Sequence, residues 1–285
     1  MSVLIASQKD LLKYVPNVVY SVENEDDLYQ KVLPYMDTEE ELLAIRVLGM
    51  YPDSYKFSNL RKSAKNAMAK AVVCRAMAKA MPAIDVVVTP NGIGVVSTAE
   101  IAPASKERVE RLIKSMWTAG AQSLALLVNL LKEDKEWVES YTGNYFCSTL
   151  ASSIEYAMPW ADRMTDILDV YGRVRNLAMV YESRMADSYV GIDTMARIVR
   201  SKTVGASDFE DIFSLLEFAE QRFISQCWDS DNILDRHFMD LWRTGQQVVD
   251  RIAKNKDLAE GWAKEKPEVA NPAPDTNSMR GTFFF

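Results

Sequence analysis

The stretch Ala83–Leu131, AIDVVVTPNGIGVVSTAEIAPASKERVERLIKSMWTAGAQSLALLVNLL, reads as strand, tight turn, strand, loop and long helix. Val86, Val87 and Val88 are β-branched and suit a pleated, half-buried surface. Pro90-Asn91-Gly92 supplies turn chemistry, because Asn and Gly tolerate the positive φ of a tight hairpin. Val95 and Val96 return the chain, so a hairpin is expected over 84–97. Ser105 can cap the helix that follows, with Arg108 where a capping box would place Glu or Gln; alternatively Pro103 is the first helical residue. From Val109 through Leu112, Ile113, Met116, Trp117, Gly120, Leu124, Leu127, Val128 and Leu131, spacings of three and four mark one helical face. A lone hairpin is marginal in water, so this one must lie on helices or pair with another chain.

Working outward, the 285 residues leave ample capacity for a core in one large or two modest domains. The net charge of −7 argues against global attraction to nucleic acid or an anionic membrane. Cys74, Cys147 and Cys227 are odd in number and far apart, as expected of buried thiols in a reducing compartment. The sequence shows no signal-peptide pattern and no apolar run of membrane-spanning length, so a soluble intracellular protein is expected.

Further helices are expected from Ser7 to Tyr14, from Asn24 to Leu33, and from Glu39 to Met50 after a cap at Asp37 or Thr38. Ser58–Met81 is a long Ala-, Met- and Lys-rich helix. Leu60, Ala67, Ala71, Cys74, Ala78 and Met81 share one face, and Arg61, Lys65, Arg75 and Lys79 lie nearly opposite. Asp134–Tyr141 is a short helix broken by Thr142-Gly143-Asn144, and Ala157-Met158-Pro159-Trp160 is a second break. Helices follow over about 164–170, 173–188, 192–202, 208–229 and 231–256. After Trp262 the Pro-rich run Lys266–Arg280 cannot bury enough surface to fold alone, yet it ends in Phe283-Phe284-Phe285. The fold class is therefore mainly α, a multi-helix bundle with one small β-hairpin and an extended C-terminal tail. The modules are 1–158 (helical, with the hairpin), 159–262 (helical) and 263–285 (tail).

Catalytic chemistry is sparse. His237 is the sole histidine, and it sits beside Asp235, Arg236 and Asp240 in a helical context. The carboxylate pairs Asp162/Asp166, Asp208/Asp211 and Asp229/Asp231 resemble helix starts and solvated faces more than metal sites. No zinc spacing, nucleophile elbow or phosphate-binding loop is present, and no cofactor is expected. The basic face Arg61/Lys65/Arg75/Lys79 reads either as a solvated helix face or as a contact for an acidic neighbour, and less readily for a phosphate backbone. The three phenylalanines of the tail would be an exposed apolar liability without a receiving groove or sheet edge.

The stretch MPAIDVVVTPNGIGVVSTAEIAPASKERVERLI resembles a group of uncharacterised proteins of Bacteroides phages and prophages, found among virion structural genes. Val86–Pro90, Asn91–Ser97 and Ala102–Leu112 carry the likeness. Thr98-Ala99-Glu100 departs from it, standing where such proteins often have Asn-like residues. The resemblance implies a virion protein similar to the adaptor, or head-completion, proteins that form a ring beneath the portal of tailed phages. Expected partners are further copies of the chain (twelve if the ring matches the portal), portal, and tail or neck proteins. DNA would pass through the lumen without specific binding, and no membrane is involved. Val86, Val88, Asn91, Gly92 and Val95 are the expected inter-subunit hairpin residues, and Phe283, Phe284 and Phe285 the expected anchor. The alternatives are another neck or tail-completion protein, or a small helical enzyme with a carboxylate or His237 site.

Overall fold

The computed structural model describes residues 4–15, 28–50, 60–84, 86–89, 92–95, 105–161, 166–203, 209–228, 238–265 and 267. The chain is mainly helical and divides into two compact units, Met1–Val174 and Arg175–Phe285.

The first unit is built around a helix that is buried along most of its middle turns. After α1 (Gln8–Leu11) and α2 (Leu28–Leu43) comes α3 (Lys62–Ile84), which packs against α2 and against α4 (Lys106–Leu131). Along α3, Ala64, Ala67, Ala69, Ala71, Ala76, Ala78 and Ala80 are all buried, as are Met68, Val72, Val73 and Met77. The small side chains let neighbouring helices approach closely, and a helix covered on several sides needs no single apolar stripe. The stripe expected from sequence is thus only part of the buried surface. Between α3 and α4, β1 (Val86–Thr89) pairs antiparallel with β2 (Gly92–Val95), Val86 opposite Val95 and Thr89 opposite Gly92.

Local sequence signals explain three departures from expectation. The helices expected over 24–33 and 39–50 merge in α2, which continues as a π-turn over Ala44–Leu48 and stops at Gly49 with φ 71°. Thr38 does not cap a new helix; its hydroxyl donates to the Pro34 carbonyl at 2.9 Å, one turn back. Thr142-Gly143-Asn144 does not break a helix but lies inside α6 (Tyr141–Cys147), which follows α5 (Lys135–Glu139) after Ser140. The Ser140 hydroxyl accepts from the Gly143 N–H at 3.0 Å and restarts the helix. Ser105 does stand at the start of α4, but its side chain makes no capping bond.

A 3-10 turn over Ile154–Trp160 leads to α7 (Ile167–Met185), the first half of which belongs to this unit. The division at Val174 therefore falls inside α7. Tyr171 of α7 stacks on Phe146 of α6 with ring centroids 5.1 Å apart, and Phe146 stacks on Trp137 at 6.0 Å. The Tyr171 hydroxyl donates to the Ala151 carbonyl at 3.0 Å, and Trp137 Nε1 donates to the Val47 carbonyl at 2.9 Å.

The second unit takes the rest of α7, a π-turn over Ala186–Val190, α8 (Ile192–Thr203), α9 (Glu210–Cys227), α10 (Phe238–Lys254) and α11 (Lys256–Glu265). The expected helix 231–256 stops at Lys254 because Asn255 caps a new one, its Oδ1 accepting from Asp257 N at 3.0 Å and Leu258 N at 3.2 Å. α10 packs against α9, α11 and the π-turn. Gly245 permits the last contact, since a Cβ there would meet the Tyr189 ring at 2.5 Å.

Gly143 offers the sharpest test of the α5–α6 corner. A Cβ at this position would lie 1.8 Å from the Trp137 carbonyl oxygen, a backbone atom that cannot swing aside. Gly143→Ala is expected to destabilise the unit by about 3 kcal/mol or more, at or beyond the upper end of ordinary overpacking. Urea unfolding measures this, and an unchanged midpoint would contradict the corner.

Candidate functional site

The basic face expected on α3 is not a continuous surface. Arg75 is fully buried, and its guanidinium is divided between two carboxylates. Nε donates to Glu39 Oε2 at 2.6 Å, while Nη1 and Nη2 donate to Asp166 Oδ1 and Oδ2 at 2.9 and 2.6 Å. Glu39, itself buried in α2, also pairs with Lys79. The Trp117 ring of α4 lies 5.3 Å from the Arg75 guanidinium and 5.9 Å from Lys79 Nζ, within cation–π range. Gly120, one turn on from Trp117, makes room for this arrangement, because a Cβ there would meet Arg75 Cγ at 3.0 Å.

The remaining members of the face are scattered. Arg61 pairs with Glu133 at 2.5 Å on the exposed surface. Lys65 borders a small hollow lined by Ile5, Asp10, Lys13 and Tyr14. The acidic neighbours anticipated for this face are therefore, for Arg61, Arg75 and Lys79, side chains of the same chain.

Burial opposes the charge of Arg75, but Asp166 and Glu39 more than offset it, so its pKa is raised above the ordinary value. For Asp166, burial pushes the pKa up, yet the bidentate bond from Arg75 prevails and holds it below the usual 3.8. Asp166 also lies 3.7 Å from Arg46, whose other nitrogen bonds Asp169 at 2.8 Å. Arg46 forms one wall of an open cleft of about 480 Å³, with Ile45, Gly49, Tyr141, Tyr145 and Tyr171 among its lining. Tyr141 is 91% exposed and Ile45 44%, so the cleft presents ring and aliphatic surface to the outside. Its chemistry suits an apolar or aromatic side chain of a partner more than an acid–base reaction.

A second surface follows the hairpin. Residues 105–115 at the start of α4 are exposed or half-buried, whereas the same helix is mostly buried from Gly120 to Leu131. Leu112 is 46% exposed, and Val109, Ile113 and Met116 on the same face are half-buried. The first turns of α4 thus stand at the edge of the core with an incompletely covered apolar stripe. Of the expected hairpin residues, Val86, Val88, Gly92 and Val95 are in the paired strands, and Asn91 lies outside the described residues.

Phe283, Phe284, Phe285 and His237 also lie outside the described residues, as do Asp162, Asp208, Asp229 and Asp231. Among the described residues no group of three or more His, Cys, Asp or Glu side chains is placed to hold a metal ion. No described helix is long and apolar enough to cross a membrane. Cys74, Cys147 and Cys227 are free and buried, and burial raises each thiol pKa, away from nucleophilic thiolate chemistry. Sequence reasoning missed Glu39 and Asp166 as partners of Arg75, because they lie 36 and 91 residues away.

Removing one partner from a buried ion cluster leaves the others uncompensated. Arg75→Met is expected to cost about 3–5 kcal/mol, and adding Glu39→Gln should recover part of that loss in thermal or urea unfolding. Asp166 adds a pH signature. Because its folded pKa lies below 3.8, its stabilisation is fully present above that value and is lost as pH falls through the lower folded pKa. The stability gap between the wild type and Asp166→Asn should stay constant near neutral pH and shrink only in acid below 3.8. A gap that already narrows near neutrality would contradict the cluster.

Residues 10–147 match a family of proteins of unknown function, DUF6712. The matched span begins within α1 and ends with α6, so it includes the paired strands and all of α4, while α8 to α11 lie beyond it. No curated protein and no solved structure matches the chain.

Proposed function

We propose that this chain is a structural subunit of a tailed-phage head-to-tail connector, an adaptor or head-completion ring joining the portal to the tail. The observation that carries the reading is the partly uncovered stripe Val109, Leu112, Ile113 and Met116 at the start of α4. Val109 and Leu112 of this stripe belong to the APASKERVERL segment that resembles phage virion proteins, and the stripe lies C-terminal to the paired strands in the sequence. Among the described residues the two strands pair only with each other, which leaves an edge of each for a neighbour, and this stripe needs one on its apolar face. Both needs are met if the hairpin and the first turns of α4 form the contact between adjacent subunits of a closed ring. The copy number is twelve if the ring follows the portal.

The clamp around Arg75 joins α2, α3, α4 and the residue preceding α7 at one buried point. The segment Pro267–Phe285 supplies the second attachment. Burying each of Phe283, Phe284 and Phe285 is worth roughly 1.5 to 3 kcal/mol before ordering costs, and a ring repeats that gain in every copy. The acidic balance of the chain suits a conduit that does not grip passing DNA.

Leu112→Asp places a charge in the proposed contact while leaving the buried half of α4 untouched. Mass photometry of the wild type with purified portal is expected to show a ring-sized complex, and Leu112→Asp should reduce it severalfold without shifting the thermal melt. A wild-type chain that stays monomeric alone and with portal would overturn the proposal. So would a Leu112→Asp variant that assembles normally.

A further inference from the structure

The second unit holds a cavity between α9 and α10 that neither the fold nor the proposed ring contact uses. Its volume is about 150 Å³, and Leu215, Phe218, Ala219, Phe223 and Leu241 give it an apolar wall. An apolar cavity of about that size accommodates a single benzene-sized ring. Phe218 is 68% exposed, so the cavity opens beside a ring that already faces outward.

One polar group is built into it. Tyr181 of α7 is only 2% exposed and packs against Phe223 at 5.6 Å between ring centroids. Its O–H meets no acceptor within hydrogen-bond geometry, although the Thr244 hydroxyl lies close enough to donate to its oxygen and oppose the rise in its pKa. Burial, reinforced by the negative charge of Glu220, raises its pKa and keeps the phenol protonated. A buried O–H without an acceptor is costly, and a peptide carbonyl arriving with the occupant would satisfy it. Arg243 on α10 borders the same cavity and offers further N–H donors for backbone carbonyls.

The occupant that fits is an aromatic side chain carried on an extended peptide, and this chain has such a segment. Residues 266–285 follow α11, which belongs to the same unit as the cavity. Pro267, Pro272 and Pro274 favour an extended course, and Phe283, Phe284 and Phe285 supply the rings. From Pro267 to Phe284 the chain spans at most roughly 60 Å, enough to leave its own subunit. A closed head-to-tail ring needs one donor and one different acceptor on every copy. We propose that the α9–α10 cavity of one copy receives an aromatic ring of the Phe283–Phe285 segment of a second copy, with Tyr181 donating to a carbonyl of that segment. This rests on the reading that copies of the chain assemble.

The test uses the full chain with Phe284 replaced by p-benzoylphenylalanine, mixed with an isotopically heavy preparation of the same protein and irradiated. Crosslinks from residue 284 are expected on residues 215–226 and 241–247, joining heavy to light copies. Ala219→Trp fills the cavity and should lower that crosslink at least about tenfold, equivalent to about 1.4 kcal/mol, with circular dichroism unchanged. If Ala219→Trp fails to fold, Phe218→Asp at the cavity mouth provides the same readout. Rings that form while residue 284 crosslinks elsewhere overturn the cavity assignment and leave the ring reading intact. Crosslinks confined to single copies overturn donation by a second copy. A protein that neither assembles nor crosslinks between copies overturns both readings.

Discussion

The first unit depends on where the charge of Arg75 goes. A guanidinium with no solvent exposure must be matched by carboxylates in fixed geometry, and Glu39 and Asp166 do this from opposite directions along the sequence. Trp117 closes the remaining face and ties α4 into the same point. One side chain thereby relates α2, α3, α4 and the start of α7. Apolar packing of alanines and methionines along α3 could accommodate small slips between helices, but an ion cluster with bidentate geometry tolerates far less. An apolar replacement of the whole cluster at similar volume would often be at least as stable, so the cluster is not by itself a source of net stability.

The buried half of α4 is fixed against α3, while its first turns and the preceding strands stand where the core ends. The aromatic stack of Trp137, Phe146 and Tyr171 holds the other side and shapes the cleft beside Arg46. In the second unit the same economy appears around α10, where Gly245 seats against Tyr189 and α11 pins α8 through Glu265, whose Oε2 accepts from Thr194 N at 3.1 Å. Each unit has a buried interior and exposed apolar side chains at its surface, Leu112 in the first and Phe218 in the second.

The predominance of helix was legible because amphipathic spacing and caps recur along most of the chain. Ser7 stands at the start of the first helix as expected, its hydroxyl accepting from the Asp10 N–H. What escaped was non-local. Nothing around Arg75 in the sequence distinguishes it from Arg61 or Lys79, because burial of a charge is set by partners 36 and 91 residues away. Thr142-Gly143-Asn144 reads as a break because the Ser140 cap that restarts the helix just before it is easily passed over, and the Asn255 cap was hidden within one continuous amphipathic pattern. The exposed start of α4 was legible as an apolar face, though not as one left partly open, since only the placement of α3 decides where cover ends. Tyr181 carried no signal at all, because its buried place beside Thr244 and Glu220 exists only once α9 and α10 are in place.

The ring reading stands or falls on location and contact in the particle. A single-particle reconstruction of a virion neck containing this protein would test it most directly. The expected result is a closed ring next to the portal, with the paired strands and the Val109–Met116 face of each copy against its neighbour. A reconstruction that places the chain away from the neck, or leaves that face open to solvent, would contradict it.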